Sequence, residues 1–201
     1  DVVETGDIKP LSDSHGQSPT PNPFPQDARA RWRRVRPLQP GISIGSSNDS
    51  MGTGTLGCFV RVKGETHAFL LTNNHVIAEH FLSNDGGALG RNLPWRSAVF
   101  QPSREDSRRR AEPVAELSAS MPLRVYSEGG EANYIDVALA RVAEDVSWGA
   151  TPFQDLRISG LMRRNRLYLD QTVVKSGRST AITSGYIKDL DVSVRLWYGE
   201  G

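Results

Sequence analysis

LLTNNHVIAEH, residues 70–80, is the stretch from which the fold is read. An apolar strand runs into the turn formers Thr72, Asn73 and Asn74 and delivers His75 at its end. A helical turn is expected to begin there, over His75 to Leu82. A histidine at a strand end has its ring fixed by neighbours while one edge faces a cleft, which general-base chemistry requires. The other histidines, His15, His67 and His80, read as structural. His67 falls inside the preceding strand, and His80 is expected on the exposed side of the short helix.

Working outward, short apolar runs alternate with Gly, Asn, Asp and Ser on both sides of this block. GTLGCFVRV (54–62) and HAFLLT (67–72), joined by Lys63-Gly64-Glu65, carry a hairpin signal. SAVFQPS (97–103), PVAELSAS (113–120), DVALARV (136–142), TVVKSG (172–177), SGYIKDL (184–190) and DVSVRLWY (191–198) continue the series. Helical periodicity is scarce, with a second short helix expected near Gln154 to Leu156. Many short strands at such spacing predict an all-β sandwich or barrel.

Upstream the composition changes. Seven of the 12 prolines lie in the first 40 residues, and Ser12 to Gln26 has almost nothing to bury, so residues 1–40 read as a leader or linker. Its end, ARARWRRVRP, places five arginines around Trp32; the near-neutral net charge favours a solvated segment over a polyanion contact. Arg104 to Arg110 reads as an exposed loop. Asp1 stands first without an initiator methionine, as in a processed piece whose targeting segment is absent.

Two further segments carry candidate chemistry. In NYIDVALARV (133–142), Asp136 precedes a strand whose Val137, Leu139 and alanines are expected to pack inward. A carboxylate there is able to accept the second N–H of a histidine, although a turn-terminating aspartate is the plainer alternative. Asp145 and Asp155 lack a comparable apolar strand. VVKSGRSTAITSGYIKDL (173–190) reads as a strand, a corner at Ser176-Gly177-Arg178 and a return strand from about Ser184-Gly185.

Bulk properties exclude several classes. Lys plus Arg is 24 against 23 for Asp plus Glu, which argues against a dedicated nucleic-acid or acidic-membrane binder. No apolar run approaches the roughly 18 residues of a membrane span. The single Cys58 rules out an internal disulfide framework and a cysteine-built zinc site, and in an apolar strand it reads as a small core residue. It is compatible with the cytoplasm and does not exclude export. No histidine and carboxylate spacing requires a metal or another cofactor. Arginine outnumbers lysine 20 to 4, as in proteins of high-GC bacterial genomes.

In order, these blocks resemble chymotrypsin/trypsin-like serine proteases. Thr72-Asn73-Asn74-His75-Val76 is similar to the histidine block of bacterial HtrA-type proteases, and DVALARV to the family's D-I-A-L-L strand. KSGRSTAITSG (175–185), RPLQPGISIG (36–45) and TGTLGCFV (53–60) resemble segments of bacterial trypsin-like proteins. The 61 positions between His75 and Asp136 favour that branch over HtrA itself.

The resemblance implies a chymotrypsin-like double β-barrel hydrolysing protein or peptide substrates, with His75 as base and Asp136 as its orienter. It further implies a complete first barrel over 41–145 and only the first strands of the second over 146–201. One departure is severe: no G-D-S-G loop follows Asp136, and Ser176, Ser179 and Ser184 lie where the family has scaffold. The nucleophile is therefore expected in a segment after Gly201, on a second fragment completing the C-terminal barrel, and this chain alone is expected to be inactive. A non-hydrolytic pseudoprotease scaffold, or a β-barrel binding module whose His and Asp are coincidental, stands as the alternative.

Overall fold

The computed structural model describes residues 28–47, 53–83, 86–89, 92–107, 109–125, 133–149, 151, 153 and 160–194. The segment 1–27 with His15, the helix expected near Gln154–Leu156 with Asp155, and the end of the last expected strand lie outside the described residues. The architecture is mostly β, dominated by a large, curled antiparallel half-barrel sheet.

In chain order its elements are β1 (Ser43–Gly45), β2 (Thr53–Thr55), β3 (Cys58–Arg61), β4 (Ala68–Thr72), α1 (Asn74–Ile77), β5 (Phe81–Leu82) and β6 (Ala88–Leu89). There follow β7 (Ala98–Gln101), β8 (Glu112–Ser120), β9 (Leu123–Arg124), β10 (Ala138–Val142), β11 (Thr172–Gly177) and β12 (Ala181–Tyr186). Seven of these form one sheet in the order β2-β1-β7-β8-β10-β4-β3.

That order forces the curl. β2 and β3 occupy opposite edges, yet only Leu56 and Gly57 separate them. The three steps from Thr55 to Cys58 reach at most about 11 Å. Seven flat strands would hold their edges about 29 Å apart. The sheet curls until Thr55 and Cys58 come within that reach, helped by register shifts between Leu139 and Ala140 and between Val99 and Phe100. Such bulges bend a strand and increase its twist. GTLGCFVRV is thus two strands, not one, because the chain crosses between edges at Leu56-Gly57.

The concave side holds the core: Ile42, Ile44, Leu56, Leu70, Val99, Val114 and Leu117 are buried in one cluster. β10 contributes Ala138, Ala140 and Val142 to it. Val137 and Leu139, expected inside, have the opposite parity and are only half-buried. The hairpin at Lys63-Gly64 forms as expected, with Cys58 opposite Leu71 and Arg61 opposite Ala68. Cys58 is half-buried in edge strand β3, and burial pushes its thiol up.

Helix α1 is shorter than the expected 75–82. Glu79 takes a positive φ of 53°, which ends the helix, and Phe81–Leu82 becomes β5. β5 pairs antiparallel with β6 and parallel with β9. The helix sits on β2 at Gly54, where an added Cβ would lie 2.5 Å from Val76 Cγ2.

Residues 28–40 are not the solvated segment expected. A 3₁₀ helix, Ala28–Trp32, buries Arg31 completely. Arg34 and Arg36 pair with Glu112, and Leu38 enters the core beside Trp148. The 104–110 loop is likewise anchored: the Asp106 carboxylate is buried, accepting from Ser43 Oγ and from Arg178.

β11 and β12 form a separate two-stranded hairpin. The return strand starts at Ala181, earlier than expected, and residues 191–194 are not a strand. The turn end docks: Arg31 Nη1 donates to Ser176 Oγ at 2.8 Å, Trp32 Nε1 to Arg178 O at 3.1 Å, and Arg178 N to Thr55 Oγ1 at 3.0 Å. Gly41, with φ of 92°, leaves the space that Ser176 Oγ and Arg31 occupy. Beyond that end, Val173 and Val174 are 43% and 46% exposed. Neighbours on a strand point to opposite faces, so the hairpin shows apolar surface on both.

Candidate active site

The pairing of β4 with β10 creates the site. Their antiparallel register sets Thr72 opposite Ala138. The C-terminal end of one strand therefore meets the N-terminal end of the other, and extending the register by two residues sets Asn74 against Asp136. His75 follows in the first turn of α1. Two residues 61 apart in sequence share one rim of the sheet because their strands are neighbours.

His75 Nδ1 lies 2.5 Å from Asp136 Oδ2. The other carboxylate oxygen, Oδ1, accepts from the backbone N–H of Asn74 at 2.6 Å and of His75 at 3.4 Å. Asn73 Nδ2 donates to the Asp136 carbonyl at 3.0 Å. The carboxylate is thus held on both oxygens and at its own backbone. Burial alone would raise the Asp136 carboxyl; the His75 hydrogen bond and charge, with the two backbone donors, overcome burial and hold it below its ordinary value.

With Asp136 ionised, an acceptor faces Nδ1, so neutral His75 carries its proton there and presents Nε2 as the basic nitrogen. The imidazole side chain is 38% exposed and the carboxylate 21%. An oriented imidazole of fixed tautomer, backed by a partly buried anion, is equipped to take a proton from a hydroxyl and stabilise the resulting imidazolium.

The remaining candidates lie elsewhere. His67 sits just before β4, with Nε2 3.2 Å from the exposed Glu144. Asp145 is exposed in the turn after β10. His80 is not on an exposed helix side. Its Nδ1 lies 2.6 Å from Ser120 Oγ and its Nε2 2.7 Å from Leu93 O, with Trp95 edge-on to the ring at 5.2 Å. Of the downstream serines, Ser176 accepts from Arg31, Ser179 accepts from Arg178, and Ser184 is exposed on β12.

Two contributors were not expected from sequence. Asn74 passes there as a turn former, yet it is fully buried and donates to Asp136. Its signal was its place directly before the histidine. Arg31 fastens the hairpin to the half-barrel, and nothing in ARARWRRVRP distinguishes it from its neighbours.

Among the described residues, no cluster of three or more His, Cys, Asp or Glu is placed to hold a metal ion, and no helix is long and apolar enough to cross a membrane. Neither family models nor curated proteins match the chain.

Proposed function

We propose that this chain supplies the base and orienter of a serine endopeptidase of the chymotrypsin/trypsin-like kind. The observation that carries the proposal is the 2.5 Å contact between His75 Nδ1 and Asp136 Oδ2 on a partly open rim of a curled antiparallel sheet. His75 Nε2 would take the proton of a serine hydroxyl as its oxygen attacks the peptide carbonyl. It would then return that proton to the leaving amine, and water would hydrolyse the acyl-enzyme by the same route. Asp136 stabilises the imidazolium in both halves and stays ionised.

The serine is proposed to come from a segment after Gly201 that completes a second barrel. The hairpin supports this partner. Two-stranded sheets are marginal alone, and one with exposed valines on both faces is suited to further strands. Ser176 is a poor alternative nucleophile because its oxygen is taken by a buried guanidinium.

The same exposed hairpin also suits the non-hydrolytic alternative, a scaffold that docks another protein and cuts nothing. Casein hydrolysis by the protein together with its completing segment separates the two. His75→Ala should abolish turnover, and Asp136→Asn should slow it by about 10⁴-fold by favouring the wrong tautomer. Turnover unchanged in both variants would reject the dyad; no turnover in the completed wild type would favour the scaffold.

A further inference from the structure

We infer that Asn74 is a positioning residue, whose side chain aims its own backbone N–H at Asp136 and thereby seats the carboxylate on His75. The inference deepens the proposed function and rests on that dyad.

Every hydrogen-bonding group of Asn74 is engaged. Its Oδ1 accepts from His80 N at 3.2 Å, and its Nδ2 donates to His80 O at 3.0 Å. Its carbonyl accepts from Ala78 N and Glu79 N, both at 2.9 Å. Its N–H donates to Asp136 Oδ1 at 2.6 Å. The residue is fully buried, where an unmet amide is costly, so these bonds hold as a set. The amide grips the backbone of His80 as an adjacent strand would, closing the 74–80 loop and fixing the direction of the Asn74 N–H.

The other end of that grip is rigid as well. Leu93 O accepts only, so Nε2 of His80 carries a proton, while Ser120 Oγ faces Nδ1. A hydroxyl both donates and accepts, so the bond at Nδ1 survives either protonation state of the ring. Ser120 stands opposite Ala138, two residues beyond Asp136. The contacts form a closed circuit: Asn74, His80, Ser120, the start of β10, Asp136, and back to Asn74. Shifting the Asn74 N–H would leave Oδ1 only the longer 3.4 Å bond from His75 N, letting the carboxylate rotate and draw Oδ2 off His75 Nδ1.

The test is NMR on the 201-residue chain, with no activity required. In the wild type the His75 Nδ1–H should appear as a downfield, exchange-protected imidazole resonance. In Asn74→Ala that proton should exchange at least about tenfold faster, with native-like dispersion elsewhere. The Asp136 carboxyl, followed by ¹³C, should titrate higher than in the wild type; a residue contributing only global stability would leave that midpoint unmoved. Both readouts unchanged in folded Asn74→Ala would overturn the positioning role and leave the dyad standing. A wild type lacking the resonance would overturn the dyad itself. If Asn74→Ala does not fold, wild-type exchange decides. Amide N–H of Asn74, amide N–H of His80 and His75 Nδ1–H should open together, with protection within about tenfold. Protection differing by more than about 100-fold would refute the coupling.

Discussion

The half-barrel and the β11–β12 hairpin are both antiparallel β, but they are stabilised in opposite ways. In the half-barrel, apolar residues converge on one side: Ile44, Leu70, Val99 and Val114 have no exposed surface. Leu56-Gly57 link its two edge strands, and His75 and Asp136 are carried on its rim. The hairpin buries Ala181 and Ile182 near its turn and leaves Val173, Val174 and Tyr186 exposed. It is attached by polar contacts instead: Arg31 to Ser176, Trp32 to Arg178, and Arg178 to Asp106. A sheet with its own core carries the His75–Asp136 pair; the hairpin leaves apolar surface open on both faces.

Core truncation should break this contrast most sharply. Leu70→Ala should cost about 2–5 kcal/mol in denaturant unfolding, because it empties the centre of a closed core. Val174→Ala on the exposed hairpin should stay within about 0.5 kcal/mol. Similar losses at the two sites would mean that the hairpin has a core of its own in this chain.

The next effect concerns the attachment. Burial lowers the pKa of the Arg31 guanidinium, whose Nη1 donates to Gly41 O and Ser176 Oγ. Arg31→Ala would leave those acceptors without a donor, at a cost of about 1–3 kcal/mol. Hydrogen exchange should show 172–186 loosening while β4 and β10 keep their protection. Loosening of both regions equally would make Arg31 part of the half-barrel core and not a fastener.

How much of this was legible in the sequence follows from the range of the interactions. The β3–β4 hairpin was readable because its pattern and its Lys63-Gly64-Glu65 turn are local. His75 and Asp136 are candidates in the sequence because each is a polar residue at the end of an apolar run, and the β4–β10 register brings them together. Arg31 was not, since its burial depends on Gly41 and Ser176, 10 and 145 positions away. His80 reads as lying on the exposed side of a helix over 75–82; a positive φ at Glu79 follows the shorter helix, and Ser120 and Leu93 take the ring instead. Asp106 sits in a run of charge that reads as solvated, and only the distant Ser43 and Arg178 bury it.

A smaller effect should appear in acid. Because the folded Asp136 carboxyl is held below its ordinary value, its stabilisation is present above the unfolded carboxylate pKa of about 3.9 and is lost as pH falls through the lower folded value. Amides at 73–77 should lose protection in that window, and Asp136→Asn should remove this pH dependence. Loss of protection beginning above pH 5 would assign the transition to another group.

We propose that His75 and Asp136 serve a serine carried on a completing segment. It is tested most directly by intact-mass analysis under denaturing conditions after treatment with a fluorophosphonate, which reacts with activated serines. The predicted result is an adduct on a polypeptide segment following Gly201, lost in His75→Ala, with the 22.1 kDa chain unlabelled. A His75-dependent adduct on the 22.1 kDa chain, at Ser176, Ser179 or Ser184, would contradict it.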